Sequence, residues 1–406
     1  MTDATIAAPE SAVEGAVESV AEARPAWGAV LSMTLGVFGL VGAEFLPASL
    51  LTPMAADLGI SEGMAGQAVT ATAAVALVTS LLVTVVTRKL DRRLVLLGLS
   101  VLLIVSNLLV AMSSNLAMLL VGRVLLGMAL GGFWTLSAAT MMRLVPEAVV
   151  PKALSVMFLG VSAATVFAAP VGSYVGDIVG WRNVFLGAAV LGALALLVQL
   201  ATLPSLPPRG HSRFGTLVEV LARPGVGFAM FAILLVFTGH FAFFTYLRPF
   251  LETVTSVGVE GVSAVLLGFG VATFFGNYLG AVLLERSMRF TLSIMPVVMG
   301  VLAFSLSAFG GSLAGDAAMV ALWGLAFGAV PVAWSTWITR AVPDEAESAG
   351  GLFVAAINFA IATGAAAGGA LFDTSGVSSV FVASGIVLLL AALTIVSAVR
   401  TRPQAE

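Results

Sequence analysis

The sequence of 406 residues contains no cysteine and only two histidines. Without cysteine, disulfides, thiolate catalysis and cysteine metal sites are excluded, and two histidines argue against a multi-histidine metal site. Charged residues make up 10% of the chain and hydrophobic residues 60%, whereas soluble domains carry about a quarter charged residues. The composition therefore predicts an integral membrane protein, and it predicts neither a metal nor a cofactor.

Sequence motifs for catalysis are also missing. The chain has no phosphate-binding Gly-Lys motif, no nucleophile triad and no paired catalytic carboxylates, which argues against an ATP-driven pump, a hydrolase or any other enzyme. Residues 1–26 are rich in alanine and acidic residues and lack the basic start and apolar core of a secretory signal. We interpret them as a disordered cytoplasmic tail.

Long apolar runs dominate the rest of the chain. A spanning helix needs about 20 mostly apolar residues, and windows of that length predict twelve transmembrane helices and an all-α fold. A polar connection at 204–224 divides them into six-helix halves, 27–203 and 225–399, before a short C-terminus at 400–406. The predicted spans are 27–54, 64–87, 94–111, 116–142, 154–175, 184–203, 226–247, 262–284, 292–309, 317–338, 350–372 and 380–399.

The basic residues predict the orientation, because cytoplasmic loops carry an excess of lysine and arginine. With both termini in the cytoplasm, only Arg182 and Arg248 face outward. The basic residues that face the cytoplasm are then Arg88, Lys89, Arg92, Arg93, Arg143, Lys152, Arg209, Arg213, Arg223, Arg286, Arg289, Arg340, Arg400 and Arg402.

An internal repeat supports the division into halves. The pattern Gly127-Met-Ala-Leu-Gly131 recurs as Gly324-Leu-Ala-Phe-Gly328, and each copy is followed by an Arg-x-Val-Pro segment. Six spans separate equivalent helices, so the repeat keeps its direction across the membrane. Parallel six-helix halves place a substrate site between them. A second set of residues recurs at the same internal spacing: Asp177, Gly180 and Phe185 as Asp373, Gly376 and Phe381.

The fourth and fifth spans resemble the major facilitator superfamily, and specifically its drug:proton antiporter branch with twelve helices. Span four carries Arg123 and the glycines that begin at Gly127, and span five carries an antiporter-like segment with Pro170 and Gly172. The loop before span three departs from the family pattern. Aligned on its arginine pair, this chain has Arg88 where the family has aspartate, and Asp91, just before Arg92, where it has glycine. We therefore expect an altered cytoplasmic latch.

Within that branch, longer stretches resemble the purine ribonucleoside efflux pumps. Examples are Glu44-Phe-Leu-Pro47, Gly131-Gly-Phe-Trp134 and Trp334-Ser-Thr-Trp337. The resemblance covers nearly the whole chain and implies a monomeric exporter of inosine- or guanosine-like nucleosides and purine base analogues. Proton entry would drive it, in the cytoplasmic membrane of a bacterium. The alternatives are a sugar or multidrug exporter and a membrane sensor that transports nothing.

Two formal charges, Glu44 and Arg123, lie well inside the predicted spans. Charges at membrane depth are expensive and mark functional sites, so Glu44 is the first candidate for the proton-carrying group, with Arg123 as the residue that orients it. The alternative is a permanent ion pair that holds the half together. His240 aligns with Glu44 under the repeat, and the ordinary pKa of a histidine suits proton exchange, which makes it a third candidate for proton coupling. Alternatively, it is a neutral hydrogen-bonding group.

Aromatic and amide side chains inside the spans are candidates for substrate binding. The rings of Trp134, Phe244 and Trp334 offer flat faces for a purine, although packing is the commoner role of such residues. Asn277 and Asn358 can read a base edge or a ribose hydroxyl, or can bond to neighbouring helices. The glycines and prolines of the motifs, which include Gly127, Pro170 and Gly172, are expected to shape helix packing and movement.

Overall fold

The computed structural model describes residues 25–146, 149–207, 215–342 and 346–399. Within these ranges the chain forms fifteen α-helices. In chain order they are α1 Trp27–Ser49, α2 Leu51–Leu58, α3 Glu62–Val86, α4 Arg92–Ala111, α5 Leu116–Leu144, α6 Val150–Val179, α7 Trp181–Thr202, α8 Gly215–Leu221, α9 Val226–Thr245, α10 Leu247–Thr253, α11 Val259–Arg286, α12 Met288–Phe309, α13 Leu313–Ala341, α14 Ala346–Ser375 and α15 Val377–Ala398.

Twelve of these helices are long and apolar enough to cross a membrane. The three short helices α2, α8 and α10 are not among them. The prediction of an all-α membrane protein with twelve spans is therefore confirmed, and the protein is a multi-pass membrane protein. Most of the predicted tail, residues 208–214 of the linker and residues 400–406 lie outside the described residues. The boundaries given to the two halves stay a prediction.

Local sequence explains where several helices begin and end. The Asn115 side chain accepts a hydrogen bond from the Met118 N–H at 2.9 Å and caps α5, which satisfies one of the free donors of a helix start. Gly180 and Gly376, at φ 86° and 79°, separate α6 from α7 and α14 from α15. Such positive angles favour glycine, and the two glycines are equivalent in the sequence repeat.

The repeat is also visible in the helices that carry the candidate site. α1 is followed by the short helix α2, and α9 is followed by the short helix α10. Glu44 lies five residues before Ser49, where α1 ends, and His240 lies five residues before Thr245, where α9 ends. At a rise of 1.5 Å per residue, both lie about 7 Å from the end of their helix. The two halves thus present these side chains at equivalent depths.

The repeated glycines pack helices together in the same way in both halves. A Cβ atom on Gly127 would lie 2.4 Å from the Thr72 carbonyl oxygen, so α5 contacts α3 backbone to backbone. A Cβ on Gly324 would lie 2.5 Å from the Phe269 carbonyl oxygen, where α13 contacts α11. Small residues permit such close approach between membrane helices. These contacts fix α5 against α3, and with it the position of Arg123.

Twelve crossings bring the first and last described residues to the same face of the bundle. We call the opposite face, where α1 ends at Ser49, the distal face. Several hydrogen bonds join the two halves at this face. Ser61 Oγ and the Gly63 N–H donate to the Asp373 carboxylate at 2.7 and 3.1 Å, and the Thr52 hydroxyl donates to the Glu252 carboxylate. The structure is therefore closed at the distal face.

Candidate functional site

Arg123 is completely buried and is held by backbone carbonyl oxygens of two other helices. Its Nη1 donates to Ala43 O at 2.9 Å and its Nε donates to Ala68 O at 3.2 Å. Its Nη2 lies 3.5 Å from the backbone oxygen of Glu44. A planar guanidinium can satisfy several acceptors at once in a fixed geometry. The charge of Arg123 is thereby fixed beside α1 at the level of Glu44.

Glu44 lies within α1, five residues before its end, and the residue as a whole is partly exposed. Among the described residues, the ion pairs within 4.0 Å are Arg182 with Asp57 and Arg248 with Glu252. The Glu44 carboxylate is not paired with Arg123 in this conformation; the two residues meet through the Glu44 backbone. The structure thus brings the two candidate residues together without an ion pair between their side chains. Their roles in proton coupling stay predictions.

His240 is 2% exposed and is packed among aromatic rings. Its ring stacks on Phe327, with centroids 3.3 Å apart and planes 2° apart, and it also lies near Phe244 at 5.8 Å. Its Nδ1 accepts a hydrogen bond from Trp323 Nε1 at 3.1 Å. His240 therefore has a hydrogen-bonding partner on α13, and its predicted part in proton coupling is untested.

An aromatic contact between the halves joins the surroundings of Glu44 to those of His240. Phe45, the residue after Glu44, meets Phe244 edge to face, with centroids 5.6 Å apart. Phe244 also packs against Phe269 at 5.2 Å. Phe244, one of the predicted substrate-binding residues, thus lies where the halves meet. The two titratable candidates lie on either side of this aromatic contact.

The other predicted substrate-binding residues are distributed over four helices. Trp334 on α13 is buried and meets Trp337 edge to face at 5.9 Å. Asn358 on α14 donates to Val354 O of its own helix at 3.0 Å. Asn277 on α11 is partly exposed, and Trp134 on α5 packs against a ring of α6 at 6.4 Å. Their contact with substrate stays a prediction.

Asp91, in the altered loop, accepts hydrogen bonds from three donors. The Leu206 N–H is shared between both carboxylate oxygens at 2.9 and 3.1 Å, and the others are the Arg93 N–H at 2.8 Å and the Ser205 hydroxyl. Burial raises the pKa of this carboxyl, but the hydrogen bonds outweigh that effect, and its pKa lies below the usual value. Asp91 thus caps α4 and attaches the loop to the segment that follows α7.

The remaining motif residues have mainly structural contacts. Arg88 is exposed, and Arg92 donates to the Thr87 hydroxyl at 2.7 Å. Pro170 lies inside α6. A Cβ on Gly172 would lie 2.6 Å from the side chain of Leu46 on α1. Gly172 thus permits close packing of α6 against the helix that carries Glu44.

Arg248 is buried at the distal face, and the sequence interpretation gave it no role beyond facing outward. Its Nε donates to the Glu252 carboxylate at 2.7 Å, and its Nη1 donates to the Ser49 carbonyl oxygen. The same Nη1 lies 3.3 Å from Ser173 Oγ on α6. Arg248 therefore connects α10 to α1 and α6 of the other half. An arginine four residues before a glutamate in an apolar region was the signal in the sequence.

Tyr246 closes the distal face between α3 and α14, and the sequence interpretation also missed it. Its hydroxyl donates to Ala365 O at 3.0 Å, and its ring stacks on Phe372 at 5.3 Å. The same hydroxyl would lie 2.1 Å from a Cβ placed on Gly66. Glycine in α3 is thus required where the tyrosine of the other half approaches.

Comparison with known proteins gives one family and a group of similar relatives. Residues 33–356 match the family described as Major Facilitator Superfamily. The chain is 47% identical over 379 residues to the "Purine ribonucleoside efflux pump NepI" of Escherichia coli (strain K12), which covers 93% of this chain and 96% of that protein. The protein of the same name from Salmonella typhimurium is 47% identical over 381 residues, with 94% and 96% covered.

Solved structures with the same fold are transporters. A crystal structure of a D-xylose-proton symporter matches with a TM-score of 0.77 and 17% identity, over 92% of this chain and 98% of that one. A mutant of the nucleoside transporter NupG matches with a TM-score of 0.76 and 15% identity, over 92% and 100%. At these identities the matches establish the arrangement of helices and no more.

Proposed function

This chain belongs to the major facilitator superfamily, and we propose that it exports purine ribonucleosides and purine base analogues from the cytoplasm in exchange for protons. The observation that carries the proposal is the 47% identity to purine ribonucleoside efflux pumps over 93% of the chain. Such a protein is a transporter in the bacterial inner membrane with a small-molecule substrate. On this proposal it works as a monomer and catalyses no reaction.

Glu44 is the proposed proton-carrying group. The geometry supports this, because Glu44 is a lone carboxylate within a spanning helix and the charge of Arg123 is fixed beside that helix by carbonyl oxygens. A proton arriving from the distal side neutralises Glu44 and favours release of substrate on that side. Loss of the proton to the cytoplasm restores a carboxylate opposite the Arg123 cation and resets the site. Arg123 itself keeps its proton throughout and acts as a positioning residue.

We place both termini in the cytoplasm, so that the distal face is the outer face. The distribution of basic residues in the loops supports this orientation. The hydrogen bonds of Arg248 to Ser49 and Ser173 and the approach of Tyr246 to Gly66 then close the outer face, and the structure corresponds to a state that is shut toward the outside. Alternating access requires these contacts to break as the two halves, taken as 27–203 and 225–399, move relative to each other.

Transport into liposomes with an imposed pH gradient tests the function directly. Purified protein is assayed with radiolabelled inosine, a pentose and a cationic dye, and we expect gradient-driven movement of inosine. Movement of the pentose or the dye alone would support a sugar or multidrug exporter and contradict the nucleoside proposal. Absence of gradient-dependent flux of all three compounds would favour a sensor that transports nothing.

A Glu44→Gln variant tests the coupling separately from the substrate. We expect it to exchange inosine across the membrane at equal pH but to lose the acceleration by a pH gradient, because glutamine cannot carry the proton. Glu260→Gln, which changes an exposed carboxylate at the start of α11, is the matched control and should remain coupled. Full gradient-driven transport by Glu44→Gln would remove Glu44 from the mechanism.

A further inference from the structure

The hydrogen bond between Trp323 and His240 determines which ring nitrogen of the histidine carries the proton. The indole N–H of tryptophan is a donor and has no acceptor function. Because Trp323 Nε1 lies 3.1 Å from His240 Nδ1, that nitrogen must be the acceptor. The proton of the neutral ring is then on Nε2. In a doubly protonated ring Nδ1 would also carry a hydrogen, and its N–H would face the N–H of Trp323. The contact is therefore compatible only with neutral His240.

Packing holds the indole N–H of Trp323 in a fixed position. Trp323 is fully buried, and its ring stacks on Phe243 with centroids 3.7 Å apart and planes 12° apart. Phe243 in turn packs against Phe381 at 4.8 Å. On the opposite side of the hydrogen bond, His240 is stacked on Phe327. Side chains locked by packing in this way hold a functional group in a defined orientation.

We propose that Trp323 is a positioning residue that holds His240 as the Nε2–H tautomer, and that His240 uses this N–H to donate a hydrogen bond to the purine base. Among the described residues, no hydrogen-bond acceptor for Nε2 is found. The proposal rests on the proposed function, since it names how that site recognises its substrate. It also assigns His240 to substrate recognition and leaves proton coupling to Glu44.

The surroundings of His240 favour the base over the ribose as the partner. Aromatic rings adjoin the imidazole, with Phe241 at 4.9 Å and Phe244 at 5.8 Å. Flat apolar rings suit stacking against a purine, whereas the ribose hydroxyls need several polar partners. The base of inosine or guanosine presents two adjacent acceptors, O6 and N7, along one edge. A single fixed N–H donor fits that edge.

Transport kinetics of Trp323→Phe test the positioning role. The substitution removes the N–H and keeps an aromatic ring for stacking, so His240 is free to adopt the other tautomer. We expect the half-saturation concentration for inosine to rise about five- to tenfold, the effect of weakening one hydrogen bond, with little change in maximal rate. Trp181→Phe is the matched control, because Trp181 donates its N–H to Asp57 at the distal surface at 3.2 Å.

A His240→Gln variant separates tautomer control from packing. The glutamine amide places an N–H donor near the position of Nε2 and does not depend on Trp323 for its orientation. We expect His240→Gln to keep more inosine affinity than His240→Ala. Adding Trp323→Phe to His240→Gln should then lower the affinity for inosine by less than a further twofold. If Trp323→Phe lowers inosine affinity equally in the unmodified protein and in His240→Gln, Trp323 acts only through packing, which would overturn the proposal.

Substrate analogues identify the acceptor. Purine riboside lacks O6 and 7-deazainosine lacks N7, so at least one of them should bind more weakly than inosine to the unmodified protein. Trp323→Phe should reduce that preference. Equal affinity of the unmodified protein for all three nucleosides would refute recognition of this edge by His240.

Nitrogen NMR of ¹⁵N-histidine-labelled protein reads the tautomer without transport. The chain has only two histidines, and a His211→Gln variant assigns the remaining signals to His240. We expect a single Nε2–H tautomer at neutral pH, and a mixture in Trp323→Phe. An Nδ1–H tautomer in the unmodified protein would refute the positioning role. If the unmodified protein moves no nucleoside, the proposed function and the purine part of the inference fail together, whereas the NMR signals still decide the role of Trp323.

Discussion

Substituting Gly66 by alanine should weaken closure of the distal face. A Cβ at this position would lie 2.1 Å from the Tyr246 hydroxyl oxygen and 2.9 Å from the ring carbon that bears it. Ordinary contact between such atoms is about 3.5 Å. Tyr246 is fully buried, and its hydroxyl is bonded to Ala365 O at 3.0 Å. The tyrosine therefore cannot yield without losing this hydrogen bond or separating the halves.

The size of the effect follows from the overlap. An extra methyl group in a well-packed region costs about 1–3 kcal/mol. Gly66 lies on α3 and Tyr246 follows α9, so the strain exists only while the two halves meet at the distal face. A conformation open at that face is free of it. The ratio of open to closed states should thus increase by about 5- to 150-fold.

Spin-label distance measurements can detect this shift. Because the chain contains no cysteine, single cysteines can be introduced without removing native ones. Ala56 on α2 and Ser375 at the end of α14 are both exposed at the distal face, one in each half. We expect labels at these two positions to show a larger population of long distances in Gly66→Ala. Inosine transport should slow, because the state closed to the outside becomes less populated.

Two variants serve as controls. Gly98 faces open space, with no atom within 4 Å of a Cβ placed there, so Gly98→Ala should leave the distances unchanged. Adding Tyr246→Phe to Gly66→Ala removes the oxygen at 2.1 Å and should reverse part of the shift. An unchanged distance distribution in Gly66→Ala, with unchanged transport, would refute the reasoning. A lower thermal stability without longer distances would place the strain in folding and equally contradict it.

Three further predictions concern stability and the loops. Gly328→Ala places a Cβ 2.1 Å from a backbone oxygen of α11, so it should lower stability by about 1–3 kcal/mol and the Tm in detergent, whereas Gly268→Ala, which meets no atom within 4 Å, should not. The hydrogen bond from Arg182 lowers the pKa of Asp57 below its ordinary value of 3.8. The stabilisation of the folded protein by the Asp57–Arg182 pair is therefore fully present above the ordinary pKa of 3.8 and is lost as the pH falls through the lowered pKa. This exposed pair contributes less than about 1 kcal/mol, and the Tm values of Asp57→Asn and the unmodified protein should converge in acid; a constant difference would contradict this. Asp91→Ala should speed cleavage of the linker in limited proteolysis, since its carboxylate holds the segment after α7, and an unchanged rate would show that the other contacts suffice.

The fold followed from the sequence because membrane insertion imposes a simple rule. Every backbone polar group in lipid must be satisfied within its own helix, so apolar runs of sufficient length become spanning helices. The twelve spans were predicted on this basis. The repeated glycines of the fourth and tenth spans lie at close helix contacts in both halves, as the approaches of Gly127 and Gly324 illustrate.

Only part of the candidate site could be predicted from the sequence. Glu44, Arg123 and His240 attract attention because polar groups are rare inside apolar spans. Their partners could not be predicted, since these depend on which helix faces lie against one another. The sequence predicted that Arg123 orients Glu44 and left a permanent ion pair as the alternative, whereas in the structure the arginine is bound by backbone carbonyls of α1 and α3. Such acceptors are present in every residue and leave no sequence signal.

The sequence by itself determined that the protein spans the membrane twelve times, because spanning helices follow from local runs of apolar side chains, and its internal repeat indicated two related halves. Tertiary structure alone decided which groups on different helices meet. Arg248 and Ser49 belong to helices distant in the sequence, as do Trp323 and His240. Hydrogen bonds act over about 3 Å, so only the packed arrangement of helices determines which of them form.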